Sequence, residues 1–203
     1  MTVAPTALSV HDRYQHLRKV ISSPRFLHKQ GLGNEVPFFI CPFPPRDAVE
    51  MQRSVKQLAN WLAMRGIVVL ELDLYDLSIE LLQKRGVWER ILQVEGDVSK
   101  DQLKELLQGV LDPETHLVPA IADKMQQHTF DVMFITGVGE VFPYIRSHNV
   151  LNNLQSTAKE KPTVMFFPGD YVHSLESGAS LNLFSCLPDD KYYRAFNIFH
   201  VEV

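Results

Sequence analysis

Arg46, Asp47, Asp73, Asp76, Glu140, Asp170 and His173 each follow closely on a short apolar run that reads as a buried strand. In an open parallel sheet the crevice beyond the carboxyl ends of the strands is where ligands bind. Carboxylates and a histidine gathered there could hold a metal ion or move protons. That chemistry would make the chain a small metal-dependent hydrolase or nuclease. The spacing does not favour it. The residues come from separate loops with no local ligand motif, and helix caps make such an edge acidic in α/β proteins generally.

The first of these loops, "CPFPPRDA" (41–48), stands where many α/β proteins carry a glycine-rich phosphate loop. That loop needs glycines, whose backbone N–H groups wrap the phosphates, and a Lys to neutralise them. Here Pro42, Pro44 and Pro45 lack N–H groups, and neither Gly nor Lys is present. Phosphate cradling is not expected. "VVLELD" ends in Asp73 like a magnesium-binding strand, but without a phosphate loop there is no nucleotide for it to serve. "GVGEVF" shares only two glycines with a dinucleotide fingerprint and reads as a strand-to-helix turn. No G-x-S-x-G nucleophile motif occurs. No catalytic residue, metal ligand or cofactor is therefore assigned, and the chain reads as a non-enzyme.

The elements that position these loops follow from periodicity. Val10, Tyr14, Leu17 and Ile21 recur at helical spacing, giving a helix over 10–21. Val36–Cys41 is a strand. Asp47 and Glu50 suit a capping box opening a helix whose buried stripe is Met51, Val55, Leu58, Ala59 and Leu62, closed at Arg65-Gly66. "IVVLELDLYDL" (67–77) is the second strand, apolar over Ile67–Leu70 and then alternating, with Glu71, Asp73 and Tyr75 on one side and Leu72 and Leu74 on the other. A helical insertion of about 77–128 follows: Ser78–Glu95, broken at Gly86, with Leu92 inward; a Ser99-capped helix with Leu103, Leu106, Leu107 and Val110 inward; and a helix capped by Asp112, with Pro113 in its first turn and a restart at Pro119. Phe130–Ile135 is a third strand, Pro143–Gln155 a helix, and Thr163–Phe167 a fourth strand stopping at Pro168-Gly169. Residues 174–188 read as irregular or briefly helical, and Tyr193–Val201, with His200, as a last strand. The order predicts one α/β domain over 1–203: three layers around a mainly parallel central sheet, P-loop-like in topology but without a phosphate-binding loop.

Composition sets outer bounds. The 203 residues, 45% hydrophobic and 22% charged, suffice for one ample core. Twenty Lys and Arg against 24 Asp and Glu leave a net charge of −4, so no direct nucleic-acid contact is expected. No apolar run approaches the ~20 residues of a membrane span, and the first residues do not form a signal peptide. A cytoplasmic protein is expected. Cys41 reads as a small buried hydrophobe.

The stretches "FLHKQGLGNEVPFFICPFPPRDA", "GVGEVFPYIRSHNVLNNLQ", "FFPGDYVHS" and "DDKYYRAFNI" together resemble the BrxB family, the small component of BREX (bacteriophage exclusion) systems. The likeness spans nearly the whole chain. It implies a role in phage defence and in host DNA adenine methylation. It also implies co-working with a PglZ-like phosphatase-fold protein, a BrxC-like ATPase and a PglX-like methyltransferase. Pairing into a homodimer stays open. The family carries no established catalytic residues to transfer. On this reading the chain is an adaptor or scaffold, and the proline loop is a rigid edge for a partner. The expected docking surface joins "FPPRD", "GVGEVFPYIRSH" and "PGDY", through Phe43, Arg46, Asp47, Glu140, Phe142, Tyr144, Arg146, Asp170 and Tyr171. Tyr, Phe and Arg are enriched at interface cores.

Overall fold

A computed structural model describes residues 8–30, 37–174, 178–188 and 195–201. Helix α1 (Val10–Ile21) is capped by Ser9, whose hydroxyl accepts the Asp12 N–H, and is followed by the single turn α2 (Pro24–Leu27). Strand β1 (Phe38–Phe43) leads through a 3₁₀ turn (Pro45–Asp47) into α3 (Ala48–Ala63). β2 (Val69–Asp73) ends before Leu74 and Tyr75, expected to continue the strand, and runs directly into α4 (Leu74–Lys84), which starts ahead of the expected Ser78 because the Asp73 side chain caps it. The insertion then adds α5 (Trp88–Val94), α6 (Lys100–Val110), a π-helical turn (Pro113–Leu117) and α7 (Val118–Gln127). β3 (Val132–Thr136), α8 (Ser147–Leu154), β4 (Thr163–Ser174), β5 (Gly178–Leu183), β6 (Leu187–Pro188) and β7 (Ala195–Asn197) complete the order.

Five strands lie in the order β2-β3-β4-β1-β7, all parallel. Strand alternation splits their side chains between two helical layers. Phe39, Cys41, Phe43, Val132, Phe134, Val164 and Phe166 pack against α1, α2 and α3. Phe38, Ile40, Leu70, Leu72, Met133, Ile135, Met165 and Phe167 pack against α4, α5, α7 and α8. Each of these fully buried aliphatic or aromatic side chains contributes ~1.5–3 kcal/mol. The three-layer α/β expectation is met. So is the burial of Cys41, whose thiol burial pushes up to about 12. After β1 the chain crosses toward β2, whereas after β4 it continues to β7 on the far side of β1. The crevice between the β1 and β4 carboxyl ends is therefore the switch point of the sheet.

Several local expectations are corrected. Asp47 makes no side-chain capping hydrogen bond, because the 3₁₀ turn runs straight into α3 and leaves it at φ −92°, ψ 7°, outside the extended conformation of an N-cap; its N–H, which a capping box would offer to Glu50, bonds the Pro44 carbonyl at 2.9 Å. Pro168-Gly169 does not stop the fourth strand. β4 continues to Ser174 and pairs antiparallel with β5 from Gly169↔Leu183 onward, so much of 174–188 is a hairpin and not a helix. The helix expected from Pro143 starts at Ser147. The last strand is short, and Ile198–His200 turns as a 3₁₀ helix with His200 exposed; Tyr193 lies outside the described residues. Leu92 and Leu106 point outward, 46% and 40% exposed, since α5 and α6 lie on the outside of the insertion.

A buried cation ties the N-terminal helix to the sheet. Arg13 on α1 is fully buried, and its guanidinium donates to the Pro42 carbonyl at 2.6 Å. It also sits 5.2 Å from the ring centre of Phe199. Burial holds its pKa below the usual arginine value, partly offset by Cys41 and Asp47. Three residues further along α1, the His16 ring bonds the Ile198 carbonyl at 3.0 Å.

Candidate functional site

The β1 loop, the β3–α8 loop and the β5–β6 turn converge at the switch point around a cleft of about 290 Å³. Its floor is Phe43, Met51, Val55 and Phe166. Pro45, Ala48 and Val49 form one wall, Pro168 and Phe184 the other, and Asp73, Gly137, Gly139 and Glu140 the acidic end. This is where a phosphate loop would sit in a nucleotide-binding sheet. The position is filled by prolines, aliphatic side chains and carboxylates.

Asp73 is committed to structure. One carboxylate oxygen accepts the N–H groups of Tyr75 (2.9 Å) and Asp76 (3.2 Å), capping α4, and the other accepts the Thr136 hydroxyl at 2.8 Å. The close approach explains Gly137. Its φ is +72°, and a Cβ there would stand 2.6 Å from the Asp73 carboxylate. Among the described residues no three His, Cys, Asp or Glu side chains gather closely enough to hold a metal ion. The side chain of His173 lies outside those residues. Asp170 is half-buried in β4, in register with Asn182.

Glu140 is exposed at the rim. Burial of its carboxyl first, and then Asp73 and Asp76, push its pKa above the usual value. The fold therefore favours the protonated acid, and ionised Glu140 costs stability once pH rises above its unfolded pKa of about 4.3. Glu140→Gln is expected to match the wild type at acid pH and to be up to about 0.5 kcal/mol more stable at neutral pH. Melting temperatures across that range measure it; a variant less stable at neutral pH would show that the carboxylate has a stabilising partner.

The aromatic rim is held by local geometry. Phe142 meets Phe184 edge-on with ring centres 6.5 Å apart, and the Arg146 guanidinium lies 5.9 Å from the Phe142 ring centre. Phe184 and Ser185 sit at φ +53° and +59°, a backbone region that costs a non-glycine residue ~1–3 kcal/mol. The Phe184 N–H bonds the Pro168 carbonyl at 2.8 Å, which sets the ring over Gly139. Tyr144 is half-buried; burial, then Tyr75 and Glu140, raise its hydroxyl pKa.

The expected docking residues divide. Arg46, Glu140 and Arg146 are exposed, and Asp47, Phe142, Tyr144 and Asp170 are half-buried. Arg46 is splayed into solvent, its Nε 3.7 Å from Asp47. Phe43 and Tyr171 are core residues, 7% and 8% exposed, because both sit on strands and not on loops. The Tyr171 hydroxyl donates to the Ala195 carbonyl at 2.6 Å. Phe184 and Val49 were missed as site residues. Val49 precedes the buried stripe of α3 without belonging to it, and Phe184 lies in a segment read as irregular.

The sequence profile described as "BREX protein BrxB" matches residues 70–198. The chain is 32% identical over 193 residues to a Bacillus cereus (strain H3081.97) protein named "BREX protein BrxB", covering 93% of this chain and 97% of that one. It is 30% identical over 186 residues to a protein of the same name from Escherichia coli O9:H4 (strain HS), covering 92% and 90%. No solved structure matches it.

Proposed function

The chain belongs to the BrxB family, and from that premise we propose that it is an adaptor of a BREX phage-defence complex, supporting host DNA adenine methylation and phage restriction through protein contacts. The observation that carries this reading is the cleft. The place where an α/β sheet would bind nucleotide presents prolines, an aromatic rim and carboxylates, which suit a protein partner better than a phosphate. Arg46 and Arg146 flank it, both exposed. The partners this reading calls for are the other BREX proteins: PglZ-like, BrxC-like and PglX-like. Its location is the cytoplasm. Among the described residues no helix is long and apolar enough to cross a membrane.

The test is co-purification of the tagged chain with each component singly. The double variant Arg46→Ala/Arg146→Ala should fold with stability within about 0.5 kcal/mol of wild type per site. Its recovery of a direct partner should fall, by about 30-fold in affinity if one arginine is an anchor worth ~2 kcal/mol. Normal recovery of every component by the double variant would sink the rim as an interface.

A further inference from the structure

We infer that the cleft between α3 and the β3–α8 loop receives a short partner segment in which an apolar side chain stands next to an arginine or lysine. The inference rests on the adaptor reading and specifies the chemistry that the partner must bring.

Shape gives the apolar half. The cleft has a floor of Phe43, Met51 and Phe166 and a mouth flanked by Val49 and Phe184, 62% and 37% exposed. Its volume of about 290 Å³ is just under the ~300–1,000 Å³ usual for small-ligand sites. That suits inserted side chains better than a whole nucleotide. Phe184 is held at its mouth by a strained backbone, φ +53°, which the surrounding hairpin must sustain.

Charge gives the other half. Asp73 and Glu140 line the cleft, and among the described residues its lining contains no Lys, Arg or His. Asp76 adds to the negative field acting on Glu140. The acidic strip continues into an adjoining cleft through Glu71 and Glu80. Two lysines border that second cleft: Lys124 is taken by Glu80 at 2.7 Å, and Lys56 lies in the field of Glu71. Arg46, beside Asp47, and Arg146, over the Phe142 ring, stand on the rim and do not line the cleft. An anion entering here meets carboxylates; a cation beside an apolar group satisfies both halves.

The probes are the capped tripeptides Ac-Leu-Arg-Leu-NH₂ and Ac-Leu-Glu-Leu-NH₂, together with ATP, titrated into the ¹⁵N-labelled full chain. The basic peptide should shift the amides of Val49, Gly137, Gly139 and Glu140 saturably, and the acidic peptide and ATP should not. Glu140→Gln should weaken the basic peptide at least threefold. Val49→Lys, a change at an exposed site, should abolish its binding and also reduce partner recovery. Equal shifts from both peptides, or none from the basic one, overturn the inference. If the peptide result is negative while Arg46→Ala/Arg146→Ala still loses its partner, the adaptor reading stands and only the cleft chemistry falls. If that double variant keeps every partner, the adaptor surface itself is wrong.

Discussion

Gly169→Ala should cost about 4 kcal/mol of folding stability, the largest loss expected from a single added methyl among the glycines of the described residues. β4 passes at this residue from parallel pairing with β1, which ends at Phe43↔Pro168, to antiparallel pairing with β5, which begins at Gly169↔Leu183. Gly169 has φ +153°, and a Cβ there would fall on the Asn182 carbonyl oxygen of the paired strand. A backbone atom in a ladder cannot swing aside as a side chain can, so the two strands must separate locally. Against a typical total of ~5–15 kcal/mol, much of the stability would go. Urea denaturation would read it as a lower midpoint with the slope preserved. A loss under about 1 kcal/mol would mean that the junction yields more easily than its geometry implies.

Tyr171 should be nearly as sensitive, and for a reason opposite to a docking role. Its ring is buried among the residues beneath the hairpin, and its hydroxyl bonds the Ala195 carbonyl. Tyr171→Ala is expected to cost about 3–5 kcal/mol, as for other buried aromatics. Tyr171→Phe should cost about 1–2 kcal/mol, the share of the lost hydrogen bond. Burial pushes the hydroxyl up to about 12, from an unfolded value near 10. Above pH 10 the unfolded chain therefore loses this proton while the folded chain keeps it, and stability falls as pH rises from about 10 to 12. The Phe variant lacks that contribution, so the gap between it and wild type should narrow at alkaline pH. A Tyr171→Ala protein as stable as wild type would return Tyr171 to the surface.

The framework of the fold is legible in the sequence because its signals are periodic. The α1 stripe, the α3 stripe and the apolar strand runs each repeat one physical requirement several times over. What misled were single residues whose meaning depends on distant chain. Pro168-Gly169 has the chemistry of a stop, yet the strand continues because β5 supplies a new ladder. Phe43 and Tyr171 have the chemistry of interface anchors, yet strand register turns them inward. Arg13 interrupts the α1 pattern as a charge on what proves a buried face, and besides the nearby Leu8 carbonyl it is met by the Pro42 carbonyl and the Phe199 ring, from elsewhere in the chain. At the candidate site the loops were legible and the cleft was not. Its walls include Val49 and Phe184, brought together by folds of the backbone that no local pattern announces.

The Arg13 tether also sets an order on synthesis. The residues of α1 are made well before Phe199 and Ile198, which close over the helix; the Ile198 carbonyl is 182 residues away from its partner His16. At about 5–20 residues per second that separation is roughly 10–40 s of translation. For that interval the helix can already reach the Pro42 carbonyl and pack beside α3, but it lacks its contacts with Phe199 and the Ile198 carbonyl. A nascent chain halted before residue 198 can lay down β1 through β4 yet cannot seal α1. A segment made later thus closes over a helix made long before it.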